Sequence, residues 1–346
     1  MQKISGSTHC NNNRLVDNSS GFPNTRLRRL RQSSLIREMT AISIPSPKKF
    51  IYPVFVCEGT DIKKEITSMP GQYIYSIDKL LVDIGKLMDQ GIASIMLFGT
   101  IDKNRKSIEA EYAFAEHSIV HTAIRKLKNN YQDLNVFTDV CLCGYTNHGH
   151  CGMLKDNGQI DNDLSLEVLK KIAISHIEAG ADGVAPSAMM DGQVKAIRTA
   201  LDTKGFSDTI IISYSTKFAS SMYGPFRDAA NSSPKNGDRK SYQLDYRDWK
   251  LPIRESLEDE NEGADILMVK PSLMYLDIIC RLREATLLPI AAYNVSGEYS
   301  MFIATARNGW GDLKQMVRES IIAQTRSGVD IFISYWANQY DKLLKD

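Results

Sequence analysis

Two kinds of hydrophobic pattern alternate along most of this chain. Short apolar runs rich in β-branched and aromatic residues are separated by longer segments whose apolar residues recur every three or four positions. The short runs predict eight strands: Ile51–Val56, Ser94–Phe98, Val136–Leu142, Gly183–Pro186, Thr209–Tyr214, Asp265–Val269, Ile290–Val295 and Asp330–Ser334. The longer segments predict the intervening helices, among them Ile77–Met88, Leu164–Ala179, Gly192–Asp202 and Leu313–Ser327. Gly91, Gly180 and Gly328 stand where C-terminal helix caps are expected.

Strands that alternate with helices in this way are typical of βαβ units and a parallel sheet. Eight such units close naturally into a (β/α)₈ or TIM barrel, for which about 250 residues is a typical length. The alternative is a doubly wound open sheet, but no G-x-G-x-x-G motif follows the first strand. The pattern therefore predicts an α/β barrel, and we place this domain at residues 41–346.

The first 40 residues lack the alternating pattern. Residues 1–25 are polar and predict a mobile leader, whereas Arg26–Met39, RLRRLRQSSLIREM, predicts a basic helical arm. Such an arm cannot bury much surface alone, so we expect it to pack on another subunit; an exposed N-terminal helix is the alternative. The leader has no hydrophobic signal-peptide core, and its Asn- and Ser-rich composition gives only weak support to organelle targeting.

Composition narrows the classes of function. The 346 residues carry a formal net charge of +1 with one short basic stretch near the N-terminus, which argues against nucleic acid as a partner. No apolar run approaches the roughly 20 residues that span a bilayer. Three of the six cysteines fall within eleven residues, which is typical of metal binding in a reducing compartment. We therefore predict a cytoplasmic protein with no nucleic-acid or membrane partner.

The cysteine-rich segment DVCLCGYTNHGHCG begins at Asp139, near the end of the predicted third strand. Because side chains alternate along a strand, Asp139, Cys141 and Cys143 should point to one side. The glycine-containing loop that follows can return Cys151 toward the other two cysteines. Three thiolates with an open fourth position match a catalytic zinc site, since thiolates favour zinc over magnesium or manganese.

Two lysines lie at the ends of consecutive predicted strands, Lys217 just after the fifth and Lys270 after the sixth. Neighbouring strands are about 4.8 Å apart, so the two ammonium groups should meet at the mouth where barrel enzymes place their chemistry. A nearby like charge and partial burial lower the pKa of a lysine, and the neutral amine can form a Schiff base with a ketone. Ser296 and Tyr335, at the ends of strands seven and eight, belong to the same rim.

The segment after Lys217, residues 218–243, reads FASSMYGPFRDAANSSPKNGDRKSYQ. Its richness in Gly, Ser, Pro and Asn is typical of a mobile lid. The lid carries Arg227 and Arg239 above the lysines, and guanidinium groups bind carboxylates bidentately. The segment therefore predicts a clamp for the acidic end of a substrate, with solvated loop arginines as the alternative.

Together these segments resemble the porphobilinogen synthase (5-aminolevulinate dehydratase) family. The resemblance lies in DVCLCGYTNHGHCG, GADGVAPSAMMDGQV, YSTKFASSMYGPFRDA, GDRKSYQ, IRESLEDENEGADILMVKP and YNVSGEYSM, and fainter similarity extends it over about residues 25–340. It implies a lyase that condenses two 5-aminolevulinate molecules to porphobilinogen with loss of two waters, in haem biosynthesis. It also implies Schiff bases on two lysines and assistance by zinc.

The resemblance implies chemical roles for matching positions. Lys270 matches the lysine that binds the first substrate, at the P site, and Lys217 matches the lysine of the A site. The zinc ligands of the zinc-using branch match three cysteines: Cys141, Cys143 and Cys151. Asp139, beside the expected metal, is placed to accept or relay protons.

Five further positions match residues that bind the substrate carboxylates: Arg227, Arg239 and Gln243 at the A site, and Ser296 and Tyr335 at the P site. Glu255 in IRES matches the acidic residue tied to an allosteric magnesium between subunits. The family's N-terminal arm wraps a neighbouring subunit, so the resemblance implies a symmetric homo-oligomer, typically an octamer.

Three other interpretations stay open at this point. His148 or His150 could be a fourth metal ligand, although hydrogen bonding around the site is the role we favour. A single-substrate barrel aldolase would use Lys270 but would leave the cysteines and Lys217 without a role. A non-catalytic zinc protein would explain the cysteines but not two lysines at the barrel mouth.

Overall fold

The computed structural model describes residues 21–345, in two compact units, residues 21–43 and 44–345. The larger unit is a closed parallel barrel of eight strands, so the predicted (β/α)₈ fold is confirmed. In chain order the barrel strands are β1 Phe50–Cys57, β2 Ser94–Thr100, β3 Asn135–Val140, β4 Gly183–Pro186, β5 Ile210–Lys217, β6 Ile266–Lys270, β7 Ile290–Asn294 and β8 Ile331–Ser334.

Each barrel strand pairs in parallel with the next, and β8 closes the barrel against β1 through the pairs Phe50↔Phe332 and Ile51↔Ile333. Nearly every residue of these strands is buried, as expected where helices cover the outside of a parallel barrel. Two short hairpins stand outside the barrel: Lys63–Glu65 with Tyr73–Tyr75, and Met153–Leu154 with Ile160–Asp161. Because parallel strands end at the same rim, the barrel brings eight strand ends to one mouth.

Helices connect the strands, with the bounds Ile77–Asp89, Ile119–Asn130, Asn162–Glu178, Gln193–Thr203, Gly224–Ala229, Leu251–Asn261, Leu276–Ala285, Ser296–Arg307, Leu313–Ser327 and Tyr340–Leu343. The predicted glycine caps Gly91, Gly180 and Gly328 all adopt positive φ, which side chains with a Cβ rarely tolerate. Short 3₁₀ turns occupy Pro47–Lys49, Lys103–Arg105, Glu111–Ala113, Ser221–Tyr223, Leu273–Tyr275 and Tyr335–Gln339. Within residues 21–345, no helix is both long enough and apolar enough to cross a membrane.

The third and fifth strands end differently from the sequence prediction. Strand β3 stops at Val140 rather than Leu142, because the chain turns there and the carbonyl of Leu142 accepts hydrogen bonds from Tyr145 and Thr146. Strand β5 continues to Lys217 rather than ending at Tyr214. Both cysteines of the C-x-C motif therefore lie beyond the strand, whereas Lys217 is its last residue.

The predicted basic arm is helical in two pieces, a 3₁₀ turn Leu27–Arg31 and an α-helix Ser34–Thr40. Ser33 separates them because its backbone is extended and its hydroxyl accepts a hydrogen bond from the amide of Ile36, which begins a new helix. The predicted leader falls almost wholly on residues 1–20, which lie outside the described residues.

Candidate active site

The two lysines of the barrel mouth are paired across neighbouring strands. Lys270 ends β6 and Lys217 ends β5, and the parallel register places them directly opposite each other. A shift in the register between Leu267 and Val269 is what brings the strand ends level. Both side chains are buried, each with 6% of its surface exposed. Lys270 is thus buried away from water and faces the charge of Lys217, and both effects favour the neutral amine of Lys270.

Lys270 lies among aromatic rings. Its Nζ is 4.0 Å from the centre of the Tyr293 ring, 4.9 Å from Tyr214, 5.2 Å from Phe226 and 5.5 Å from Tyr223. Burial, and next the charge of Lys217, lower the pKa of Lys270 to about 7. An amine with this pKa is substantially unprotonated near neutral pH, which is what nucleophilic attack on a carbonyl requires.

Lys217 is held from the neighbouring strand β4. Its Nζ donates a hydrogen bond of 2.5 Å to the carbonyl of Ser187, just beyond β4, and lies 5.4 Å from the Tyr214 ring. Asp139, on β3, lines the same cavity as both lysines. Burial raises the pKa of Asp139, although the charges of Lys217 and Lys270 act in the opposite direction. This carboxyl group can therefore exchange a proton at a milder pH than an exposed aspartate.

The three clustered cysteines converge as the sequence predicted, with all three sulfur atoms within 4.8 Å of one another. Sγ of Cys141 and Sγ of Cys143 are 3.4 Å apart, and all three residues are buried. Hydrogen bonds from Cys141 and Cys143, together with the charge of Arg239, lower the pKa of Cys151. Three convergent sulfurs with no histidine among them are the donors of an open metal site, so this cluster could hold a soft metal ion.

The lid, residues 218–243, covers the mouth with a 3₁₀ turn and the helix Gly224–Ala229. Within the lid, Nε of Arg227, Nε of Arg239 and both amide atoms of Gln243 are buried and have no hydrogen-bond partner among residues 21–345. Burial, and next the charge of Arg239, lower the pKa of Arg227. Unpaired donors beside two close guanidinium groups make this a place where an anion would be bound favourably.

Ser296 and Tyr335 follow β7 and β8, the two strands that come after the one ending at Lys270. Ser296 begins the helix after β7, and its Oγ accepts from the amide of Phe226 at 3.0 Å and donates to the carbonyl of Met222 at 3.3 Å. Tyr335 follows β8, and its hydroxyl is 3.3 Å from that of Tyr293. Ser296 is therefore engaged by the lid, so it must exchange these partners before it can bind a ligand.

The cavity enclosed by these groups is small. Its walls include Asp139, Cys143, Lys217, Lys270, Arg227 and Arg239. Its volume is about 20 Å³, which is room for about one water molecule. A larger molecule can reach the lysines only if the lid moves outward.

Comparisons with known proteins agree with this geometry. The family model described as "Delta-aminolevulinic acid dehydratase" matches residues 24–343. The chain belongs to this family. The delta-aminolevulinic acid dehydratase of Synechococcus elongatus is 49% identical over 319 residues, covering 91% of this chain and 97% of that protein. The Bacillus subtilis protein of the same name is 47% identical over 321 residues, covering 93% and 98%.

A solved structure of the same family superposes closely on this one. It is the delta-aminolevulinic acid dehydratase (porphobilinogen synthase) of Toxoplasma gondii in complex with the reaction product porphobilinogen. The TM-score is 0.90 at 42% identity, covering 92% of this chain and 91% of that one. The resemblance inferred from the sequence motifs is thus confirmed, and the chain is an enzyme of the lyase class.

Glu255 lies outside the lysine cavity. It is on the helix Leu251–Asn261 and lines an open cavity of about 860 Å³ together with Asp191 and Asp259. Burial, and next the charge of Asp191, raise the pKa of Glu255. The acidic groups are thus near enough to repel one another, which a bound cation would relieve.

Glu298 is a buried carboxylate that the sequence reasoning missed. One oxygen accepts from the amides of Ser272, at 3.1 Å, and Leu273, at 2.8 Å. The other accepts from the amide of Val295 at 3.0 Å and from the hydroxyl of Ser272 at 3.2 Å. Glu298 therefore ties the chain just after Lys270 to the helix that begins at Ser296. The available signal was a glutamate three residues after the N-cap residue Val295, a capping pattern within VSGE.

Proposed function

We propose that this enzyme condenses two molecules of 5-aminolevulinate to porphobilinogen, with loss of two waters, in haem biosynthesis. The observation that carries the proposal is the in-register pair Lys217 and Lys270, buried in one cavity beside a three-cysteine cluster. Two nucleophilic amines can each bind one ketone, as a reaction between two ketone substrates requires. The product named in the Toxoplasma gondii complex supports the same assignment.

Lys270 takes the first substrate, on the P side. Its neutral amine attacks the ketone carbon, the ketone oxygen leaves as water, and the resulting imine acidifies the adjacent C–H bond. A pKa of about 7 keeps much of this amine unprotonated near neutral pH. The aromatic rings around Nζ exclude water from the imine, which slows its hydrolysis.

Lys217 takes the second substrate, on the A side, after it releases the carbonyl of Ser187. Its imine forms in the same way, with the ketone oxygen leaving as the second water. One C–C and one C–N bond then join the two substrates, both lysines are released, and the ring becomes aromatic. Asp139 faces both lysines and accepts or relays protons in these steps, since its raised pKa suits proton exchange.

The carboxylates of the two substrates bind to two different sets of residues. On the A side, Arg227, Arg239 and Gln243 offer buried polar atoms that have no partner in the part of the chain that the structure describes. On the P side, the hydroxyls of Ser296 and Tyr335 donate hydrogen bonds. Binding there draws Ser296 away from Met222 in the lid, so the lid must rearrange as the substrate enters.

We propose zinc as the metal of Cys141, Cys143 and Cys151, because an all-thiolate donor set with an open position suits zinc better than a hard cation. When bound, zinc supplies a Lewis acid beside the A-side substrate. We assign Glu255 to a magnesium site, supported by the acidic neighbours in its cavity.

We also propose a cytoplasmic homo-octamer in which residues 26–39 pack on a neighbouring subunit. The arm supports this because Leu27, Leu35 and Met39 are each at least 75% exposed, and such side chains are stabilised by burial against a partner.

The test is formation of a pyrrole from 5-aminolevulinate by the purified chain, with and without a zinc chelator, together with metal analysis. We expect turnover that the chelator abolishes and zinc restores. Cys151→Ala should lose both zinc and turnover, whereas Cys280→Ala, at an exposed cysteine, should keep both. Pyrrole formation that persists in Cys151→Ala without zinc would contradict the metal assignment, and absence of pyrrole from the zinc-loaded protein would contradict the function.

A further inference from the structure

The loop that carries Cys151 and the lid are joined at several points. We call residues 144–151 the metal loop. The amide of Lys235 in the lid donates to the carbonyl of His148 at 3.0 Å, and Nη2 of Arg239 donates to the carbonyl of Gly149 at 2.9 Å. A Cβ on Gly149 would come within 2.4 Å of the carbonyl of Ser233. The two segments are thus in backbone contact.

A chain of hydrogen bonds crosses this contact. The amide of Cys151 donates to the hydroxyl of Tyr242 at 3.4 Å, and that hydroxyl is 3.2 Å from Nδ1 of His150. Nε2 of His150 is 2.9 Å from the carbonyl of Asn236. The chain therefore starts at a metal-binding cysteine in the loop, passes into the lid at Tyr242, returns to the loop at His150 and ends in the lid.

The direction of this chain follows from the chemistry of its ends. A carbonyl only accepts, so Nε2 of His150 carries a hydrogen, and in the neutral ring Nδ1 is then an acceptor. The hydroxyl of Tyr242 donates to Nδ1, which leaves its oxygen free to accept from the amide of Cys151. Each donor thus meets one acceptor, and the amide of Cys151 is the point at which this chain of hydrogen bonds joins the metal-binding cysteines.

We propose that His150 and Tyr242 are positioning residues that couple metal binding at the three cysteines to closure of the lid over the lysine pair. The inference rests on the proposed metal site. A metal ion that binds Sγ of Cys151 fixes the backbone of that residue, and its amide then holds Tyr242. Coupling of this kind is reciprocal, so closure of the lid also strengthens metal binding.

The coupling explains why His150, next to Cys151 in the chain, contributes no ring nitrogen to the convergent donor set. Both ring nitrogens of His150 are occupied by Tyr242 and Asn236, and the convergent donor set consists of cysteines only. The ring of His150 is thus hydrogen-bonded to the lid and is not available as a fourth metal ligand. Such outer contacts tune metal affinity without supplying a ligand.

Tyr242→Phe tests the coupling, because it removes only the hydroxyl that links the loop to the lid. The matched control is Tyr131→Phe, whose hydroxyl makes one hydrogen bond to the carbonyl of Leu81. The readout is the rate of tryptic cleavage after the exposed Lys235 and Lys240, with zinc buffered at a saturating level or removed by chelator. Zinc affinity is measured alongside by competition with a chromophoric chelator.

We expect zinc to slow cleavage of the lid in the wild type and in Tyr131→Phe. In Tyr242→Phe the factor by which zinc slows cleavage should fall roughly fivefold or more, and the Kd for zinc should rise by a similar factor. This is the size of effect expected from the loss of one or two hydrogen bonds. His150→Phe breaks the same chain from the loop side. The double variant should be no worse than the more affected single variant, since both changes interrupt one chain.

Protection by zinc that is equal in Tyr242→Phe and the wild type, with an unchanged Kd, overturns the coupling. Additive effects in the double variant also overturn it. Measurements on the wild type distinguish failure of the coupling from failure of the proposed function. If the wild type binds no zinc and forms no pyrrole, the coupling and the proposed function are both wrong. If it binds zinc and forms the pyrrole but zinc does not protect the lid from cleavage, the coupling alone is wrong.

Discussion

The low pKa of Lys270 predicts the effect of removing its neighbour. Burial is the main cause of that low pKa and the charge of Lys217 is the next, so Lys217→Met should raise the pKa and shift imine formation toward higher pH. Methionine keeps the length and buried apolar surface of the lysine stem while removing its charge. The variant cannot hold the second substrate, but the imine at Lys270 remains measurable.

The size of the shift follows from the strand register. Residues paired on adjacent strands bring these two amines to roughly 5–7 Å, where two unit charges at an effective dielectric constant of about 20 repel by about 2–3 kcal/mol. This repulsion corresponds to an upper limit of about two pKa units. The charge of Asp139 acts on Lys270 in the opposite direction, so we expect Lys217→Met to raise the pKa of Lys270 by about one unit. At pH 6.5 the neutral fraction of Lys270 would then fall about eightfold, and at pH 9.5 it would scarcely change.

The assay is covalent trapping of labelled 5-aminolevulinate on Lys270 by cyanoborohydride between pH 6 and 9.5, with the site of labelling identified by mass spectrometry. The rate of each variant is divided by that of the wild type at the same pH, so that the pH dependence of the reductant cancels. Lys195→Met removes the charge of an exposed helical lysine and should give a constant ratio near one. A ratio for Lys217→Met that does not rise with pH would show that the two amines do not interact as argued.

Two further variants test how the mouth is assembled. Glu298→Gln places the NH2 group of the new amide, a hydrogen-bond donor, against the amide of Val295, which is also a donor. The free energy of unfolding, measured by urea titration, should therefore fall by roughly 2–4 kcal/mol. The control Glu319→Gln, at an exposed glutamate, should change it little. Gly297→Ala puts a Cβ within 2.6 Å of the carbonyl of Met222, so we expect the lid to be displaced and kcat/KM to fall at least tenfold; an unchanged kcat/KM would contradict this close contact.

The barrel was predictable because each of its strands carries the same local signal. A strand covered by helices on one side and by the barrel interior on the other is apolar throughout, and the glycines that end its helices are visible in the sequence. Strand ends were less certain: β5 includes Ser215, Thr216 and Lys217, which are polar but buried. Polar residues at a strand end signal a loop in a surface sheet, whereas here Lys217 lines the lysine cavity and the hydroxyls of Ser215 and Thr216 contact Ser256 on the helix Leu251–Asn261.

The cysteine cluster was predicted for a reason that is only partly valid. Alternation along a strand was expected to align Cys141 with Cys143, but β3 ends at Val140. The turn at Leu142, whose carbonyl accepts two amide hydrogen bonds, brings the two sulfurs together instead. The C-x-C spacing thus identified the residues, while the geometry depended on a turn that spacing alone cannot specify.

Contacts between distant segments could not be read from the sequence. Glu298 joins the ends of β6 and β7, and Tyr242 meets Cys151 across 91 positions of the chain. The VSGE pattern marks only the local contact of Glu298 with Val295, whereas the distant partners are mostly backbone amides, which every residue possesses and no motif identifies. Such contacts become visible only when the strand ends and the lid are in place.

The surroundings of the two lysines argue for an order of reaction. Lys270 lies among aromatic rings, and its pKa of about 7 leaves much of the amine unprotonated and ready to attack. Lys217 instead donates to the carbonyl of Ser187 and must break that hydrogen bond first. Once Lys270 forms an imine, the charge of its nitrogen is shared with the bound substrate. The electrostatic interaction between that nitrogen and Lys217 then changes. We therefore expect the first substrate to be captured at Lys270 and its binding to alter the reactivity of Lys217 before the second arrives.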